Sequence, residues 1–104
     1  MSYHFGPLSF QNFAWINNGA LFTNVEQVAI EVQNTGAIRL EVVDQAENVI
    51  GTEHRDVKQS GWHTFNFFNG NMKLAGDFSQ PYKLRLVNAA GGGVRLVKQG
   101  DVEF

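Results

Sequence analysis

Few side chains in this sequence can move a proton, attack a carbonyl or ligate a metal. They are His4, His54 and His63, the serines Ser2, Ser9, Ser60 and Ser79, and ten carboxylates, with no cysteine at all. The missing thiols exclude cysteine nucleophiles, Cys-ligated zinc and disulfide scaffolds. No histidine sits in an H-E-x-x-H or other short-spaced ligand pair, although His54 and His63 could meet if their strands were neighbours. No serine lies in a G-x-S-x-G elbow, and Ser60 before Gly61 reads as a turn residue. The reading is of a protein without catalytic residues, bound metal or cofactor.

Three further patterns have a chemical reading beside a plainer one. Asp44 and Glu47, with Gln45 and Asn48, could offer oxygens to calcium, but two carboxylates fall short of an EF-hand loop and fit a solvated turn. Gly91-Gly92-Gly93 would cradle a phosphate only if a helix began after it. Val94-Arg95-Leu96-Val97 follows instead, which is strand-like. Lys83, Arg85, Arg95 and Lys98 could form one basic stripe. With a formal net charge of −2 and no RNA-binding signature, nucleic acid is not the expected partner.

The elements that carry these residues are short and alternate in polarity. Val28, Ile30 and Val32 alternate with Ala29, Glu31 and Gln33, and Ile38, Leu40 and Val42 alternate with Arg39, Glu41 and Val43. Asn34-Thr35-Gly36 between them suits a three-residue hairpin loop. That register sets Val32 against Ile38, Ile30 against Leu40 and Glu31 against Arg39. Further strands are expected at residues 48–55, 62–68, 82–87 and from 94 onward, the last two as a hairpin pairing Leu86 with Leu96 and Lys83 with Gln99. The 104 residues suffice for one domain, and 43% apolar content suffices for a core. The expected fold is all-β: an antiparallel two-sheet β-sandwich of about seven or eight strands, immunoglobulin-like or jelly-roll.

Two surface features point to function. Residues 1–25 contain no Asp, Glu, Lys or Arg, yet hold Tyr3, Phe5, Phe10, Phe13, Trp15 and Phe22. Soluble proteins ordinarily guard such a strand with charge, Pro or a bulge, and here only Gly6-Pro7 does so, a break that could also re-phase Tyr3 and Phe5 with Leu8 and Phe10. Residues 1–16 are therefore expected to form an edge strand or docking segment, with Tyr3, Phe5, Phe10, Phe13 and Trp15 meeting a second copy. The alternative is that they fill their own core. Charge is also segregated: residues 26–56 hold seven acids and two bases, and residues 57–104 hold three acids and six bases. Opposite ends of opposite sign would favour head-to-tail contacts.

The rival site lies on the strand at Trp62. If Phe65 and Phe67 are core, then Trp62, Thr64, Asn66 and Phe68 present aromatic, hydroxyl and amide groups outward, as a sugar platform would. If Trp62 is itself the sandwich's core tryptophan, the platform disappears. The first expectation is thus a non-enzymatic structural subunit that self-associates in a fibre, coat, capsid-like or tail-like assembly. The alternative is a small lectin or carbohydrate-binding module. The N-terminus lacks the pattern of a signal peptide, and no apolar run is long enough to span a membrane. Synthesis in the cytoplasm is expected, with the final compartment left open.

Overall fold

The computed structural model describes every residue from Met1 to Phe104. Its strands are β1 (Ser2–Phe5), β2 (Leu8–Phe10), β3 (Phe13–Trp15), β4 (Gln27–Val32), β5 (Gly36–Val43), β6 (Val49–Val57), β7 (Gly61–Asn66), β8 (Lys73–Leu74), β9 (Lys83–Asn88) and β10 (Arg95–Glu103). β1 and β2 pair with successive stretches of β10, so they are one edge strand interrupted at Gly6-Pro7. Two antiparallel sheets result. The first is ordered β1/β2, β10, β4, β7, and the second β3, β9, β5, β6, β8. Setting aside the two-residue β8, these are eight strands in the order of a jelly roll, in which the chain repeatedly crosses between sheets.

The alternating pattern assigns faces correctly. Val28, Ile30 and Val32 on β4 and Ile38, Leu40 and Val42 on β5 all point into the space between the sheets, within a cluster of 21 buried apolar residues. The expected β4–β5 hairpin does not form. β4 pairs with β10 and β7, whereas β5 pairs with β6 and β9 in the other sheet. A period of two fixes which side chains are buried. It does not distinguish a strand that folds back in its own sheet from one that crosses to the opposite sheet, because both bury the same set.

What makes the crossing at residues 33–36 is contact with β10. Gln33 N–H donates to Leu96 O at 2.8 Å, and Asn34 exchanges side-chain bonds with Val94 O and Leu96 N–H. Arg95 donates to Thr35 O. Gly36 has φ +132°, and a Cβ there would fall 1.6 Å from Arg95 Nη1, so only glycine admits the guanidinium.

The expected β9–β10 hairpin is likewise absent, with β9 and β10 in different sheets. A β-bulge between Val97 and Gln99 also reverses the parity of β10. Arg95 and Val97 face inward before it, Gly100 and Val102 after it, while Val94 and Leu96 lie exposed. The basic stripe is therefore not assembled. Lys83 and Arg85 sit on the outer face of the second sheet, Arg95 is buried, and Lys98 is exposed at the bulge of the first. His54 and His63 are separated in the same way, on β6 and β7 of opposite sheets.

Candidate functional site

The N-terminal segment builds one whole lateral edge of the sandwich. β1/β2 is the open edge of the first sheet and β3 the open edge of the second. The Gly6-Pro7 break re-phases the strand, so Tyr3 and Phe5 before it and Leu8 and Phe10 after it all face inward. Phe5 and Phe10 are only 6% and 5% exposed, and both belong to the core of their own chain. Phe5 fits because its β10 partner is Gly100, where a Cβ would lie 2.2 Å from the ring. Tyr3 packs against the same core, beside Phe5 and Phe22. The expectation that all five aromatic residues form one docking surface is thus corrected for Phe5 and Phe10, which are buried, and for Tyr3, which faces the same core half-buried.

At Gln11-Asn12 the chain crosses to the other sheet with its phase kept, so odd-numbered residues face outward on both β2 and β3. On β3, Ala14 packs against the core and Phe13 and Trp15 face outward. Phe13 is 46% exposed, and its ring lies edge-on to Trp15 at 5.7 Å. Bases from neighbouring β9 cover part of the pair. Arg85 stands 5.2 Å from each ring centroid and Lys83 stands 4.9 Å from that of Trp15. Arg85 is held by Glu41 on β5, its Nε donating at 2.7 Å, and Arg39 donates to the other carboxylate oxygen at 2.9 Å. Burial pushes the Glu41 carboxyl upward, but the hydrogen bonds and charges of Arg85 and Arg39 outweigh it and hold the group below the usual range. After β3 the chain turns at Asn17-Asn18-Gly19, all with positive φ, a conformation asparagine and glycine tolerate best. A notch of about 200 Å³ lies between Tyr3, Pro7, Leu8 and Trp15.

The opposite lateral edge is formed by β7 and, partly, β8. Here the expected parity holds. Phe65 and Phe67 are buried, while Trp62 is 51% and Phe68 61% exposed. Trp62 is therefore not the core tryptophan of the sandwich. Asn66 is exposed and Thr64 half-buried on the same outer face. This edge is also guarded. Arg55 reaches from β6 to donate to Thr64 O at 2.9 Å, lies 4.5 Å from the Phe65 ring centroid, and pairs with the buried Glu53.

The outer faces of the two sheets differ in charge. Outward strand positions of the first sheet carry Glu31, Asp101 and Glu103, with Lys98 at the bulge. Those of the second carry Arg39, Lys73, Lys83 and Arg85 against Glu41 and Asp56. The segregation follows the sheets, not the two sequence blocks, because the strands of each block are divided between the sheets.

The candidate chemical residues are dispersed. His4 bonds Asp101 at 2.8 Å, His54 bonds Asp56 at 3.1 Å, and His63 bonds the backbone oxygen of Gln59 at 3.1 Å. Asp44 closes its own turn, accepting from Ala46 N–H and Asn48 N–H, and the bond from Asn48 is the main cause holding its carboxyl below the usual range. Glu47 turns away to Lys83. Gly91, Gly92 and Gly93 line an amide-walled hollow with Gln11, Asn12 and Asn88, with no helix behind them. No helix is long and apolar enough to cross a membrane. The chain matches no protein-family model and no curated protein sequence.

Proposed function

We propose that this chain is a non-enzymatic structural subunit that associates with copies of itself through its N-terminal edge. The observation that carries the reading is that both unpaired edge strands on one side come from a segment without a single charged side chain. Unpaired backbone groups there are a template for strand addition, and the edge strands themselves bring no Asp, Glu, Lys or Arg to be buried, the flanking Arg85 and Lys83 of β9 lying over the outer face of Phe13 and Trp15. Phe13, Trp15 and the notch beside Leu8 supply the apolar contact.

An edge that meets its own copy closes a two-fold dimer, so growth into a fibre or coat needs a second, heterologous contact. The opposite charge of the two outer faces suits that role. Sedimentation and negative-stain imaging over a range of concentrations test the reading. A dimer that withstands salt, with larger assemblies that dissolve in it, is the expected result. Phe13→Lys is expected to abolish the dimer while the monomer's melting curve stays within about 0.5 kcal/mol of wild type. Deleting residues 1–12 is not a clean test, because it removes Phe5 and Phe10 from the core. A wild-type protein that stays monomeric at every concentration overturns the proposal.

A second reading, a small lectin or carbohydrate-binding module, is favoured by the half-exposed Trp62 above a polar strand face. Weaker glycan binding by Trp62→Ala, with the fold intact, is its expected signature.

A further inference from the structure

Where β4 begins and β7 ends, a groove of about 240 Å³ is lined by Glu26, Gln27, Asn66, Phe68 and Asn69. Its two walls are tied together. Gln27 and Asn66 are register partners, and Phe67 N–H donates to Glu26 O at 3.0 Å. Phe68 has the highest fractional exposure of the aromatic residues, yet its ring is braced by two neighbours. Phe67 lies 6.3 Å and Phe78 6.4 Å away, both in edge-on geometry. A fixed ring beside three side-chain amides and a carboxylate combines a flat apolar platform with both donors and acceptors.

We infer that this groove binds one neutral or amino sugar residue, its apolar face on Phe68 and its hydroxyls on Gln27, Asn66, Asn69 and Glu26. The inference rests on the carbohydrate reading of the β7 face and narrows it from a strand surface to a site. The volume is below that of sites for drug-sized ligands and fits a single residue of a glycan. The charge selects among sugars. Glu26 lies in the groove, and Glu103 stands on the adjacent strand end, where its carbonyl accepts from Glu26 N–H. Two carboxylates disfavour sialic and uronic acids by like-charge repulsion and favour hydroxyl or ammonium donors. Sequence reasoning named Asn66 and Phe68 but missed Glu26, Gln27 and Asn69, which only the pairing of β4 with β7 brings together.

The test is a titration of the ¹⁵N-labelled protein with methyl glucoside, methyl galactoside, methyl mannoside, N-acetylglucosamine, glucosamine and N-acetylneuraminic acid, up to tens of millimolar. At least one neutral or amino sugar is expected to shift the side-chain amides of Gln27, Asn66 and Asn69, and N-acetylneuraminic acid is not. Phe68→Ala should weaken binding about tenfold, and Trp62→Ala less than about threefold. Asn69→Ala is the second variant, expected to weaken binding with the fold unchanged. Binding lost in Trp62→Ala but kept in Phe68→Ala overturns the groove and leaves the broader β7 reading standing. No shift with any of the six sugars overturns both.

Discussion

At the N-terminal edge, three of five aromatic side chains turn inward and complete the core. The other two lie outside under a cover of arginine and lysine. At the β7 edge the aromatic residues divide cleanly by parity, with Phe65 and Phe67 inside and Trp62 and Phe68 outside, and a single arginine guards the strand. One edge is long, uncharged and built from a segment that changes sheets. The other is short and stays in one sheet up to Asn66. A run rich in aromatic residues therefore does not declare its own exposure. Its exposure depends on where the chain breaks phase and where it crosses.

The contrast can be broken most severely at the buried rings. Phe10→Ala is expected to destabilise the fold by about 3–5 kcal/mol in urea unfolding, with the cavity left behind adding to the lost transfer energy. Trp62→Ala, on the opposite edge, is expected to change stability by less than about 1 kcal/mol. Equal losses would mean that the two edges do not differ as described.

A somewhat smaller effect is expected at the guard of the β7 edge. Arg55→Met leaves the carboxylate of Glu53, which is 4% exposed, without its partner and frees Thr64 O. The expected loss is about 3 kcal/mol, with faster amide exchange along β7 than along β4. Unchanged exchange at β7 would show that Arg55 does not protect that edge.

The smallest of the three losses lies at Glu41, which anchors the cover over Phe13 and Trp15. Its carboxyl is held below the usual range in the fold, because Arg85 and Arg39 outweigh the effect of burial. A depressed carboxylate stabilises the fold fully above its unfolded value and loses that contribution as pH falls through the folded value. Glu41→Gln is expected to cost about 1–2 kcal/mol at neutral pH, and the difference from wild type should vanish in acid. Urea unfolding measured as a function of pH reads both quantities. A difference independent of pH would assign the effect to packing instead.

Much of the fold was legible from residues alone. Val28-Ile30-Val32 and Ile38-Leu40-Val42 announced their buried faces, Phe65 and Phe67 did the same for β7, and Gly6-Pro7 marked the change of phase between Phe5 and Phe10. The fate of Phe5 and Phe10 was not legible, because it depends on their pairing with β10, nearly the whole chain away, where Phe5 needs Gly100 and Phe10 lies opposite Arg95. Nor was the inward turn of Arg95, which follows from a bulge two residues later and a glycine on a distant corner. The groove at Phe68 needed the register of β4 against β7.

Alternation along a strand is a local property, since successive side chains must point to opposite faces, so the sequence by itself determined most strands and, where no bulge intervenes as it does in β10, their buried sides. Partnership between strands is not local. Crossing and folding back bury the same residues and differ only in contacts made by distant segments, so the jelly-roll order, the charge of each outer face and the division of the N-terminal rings were decided by the tertiary structure.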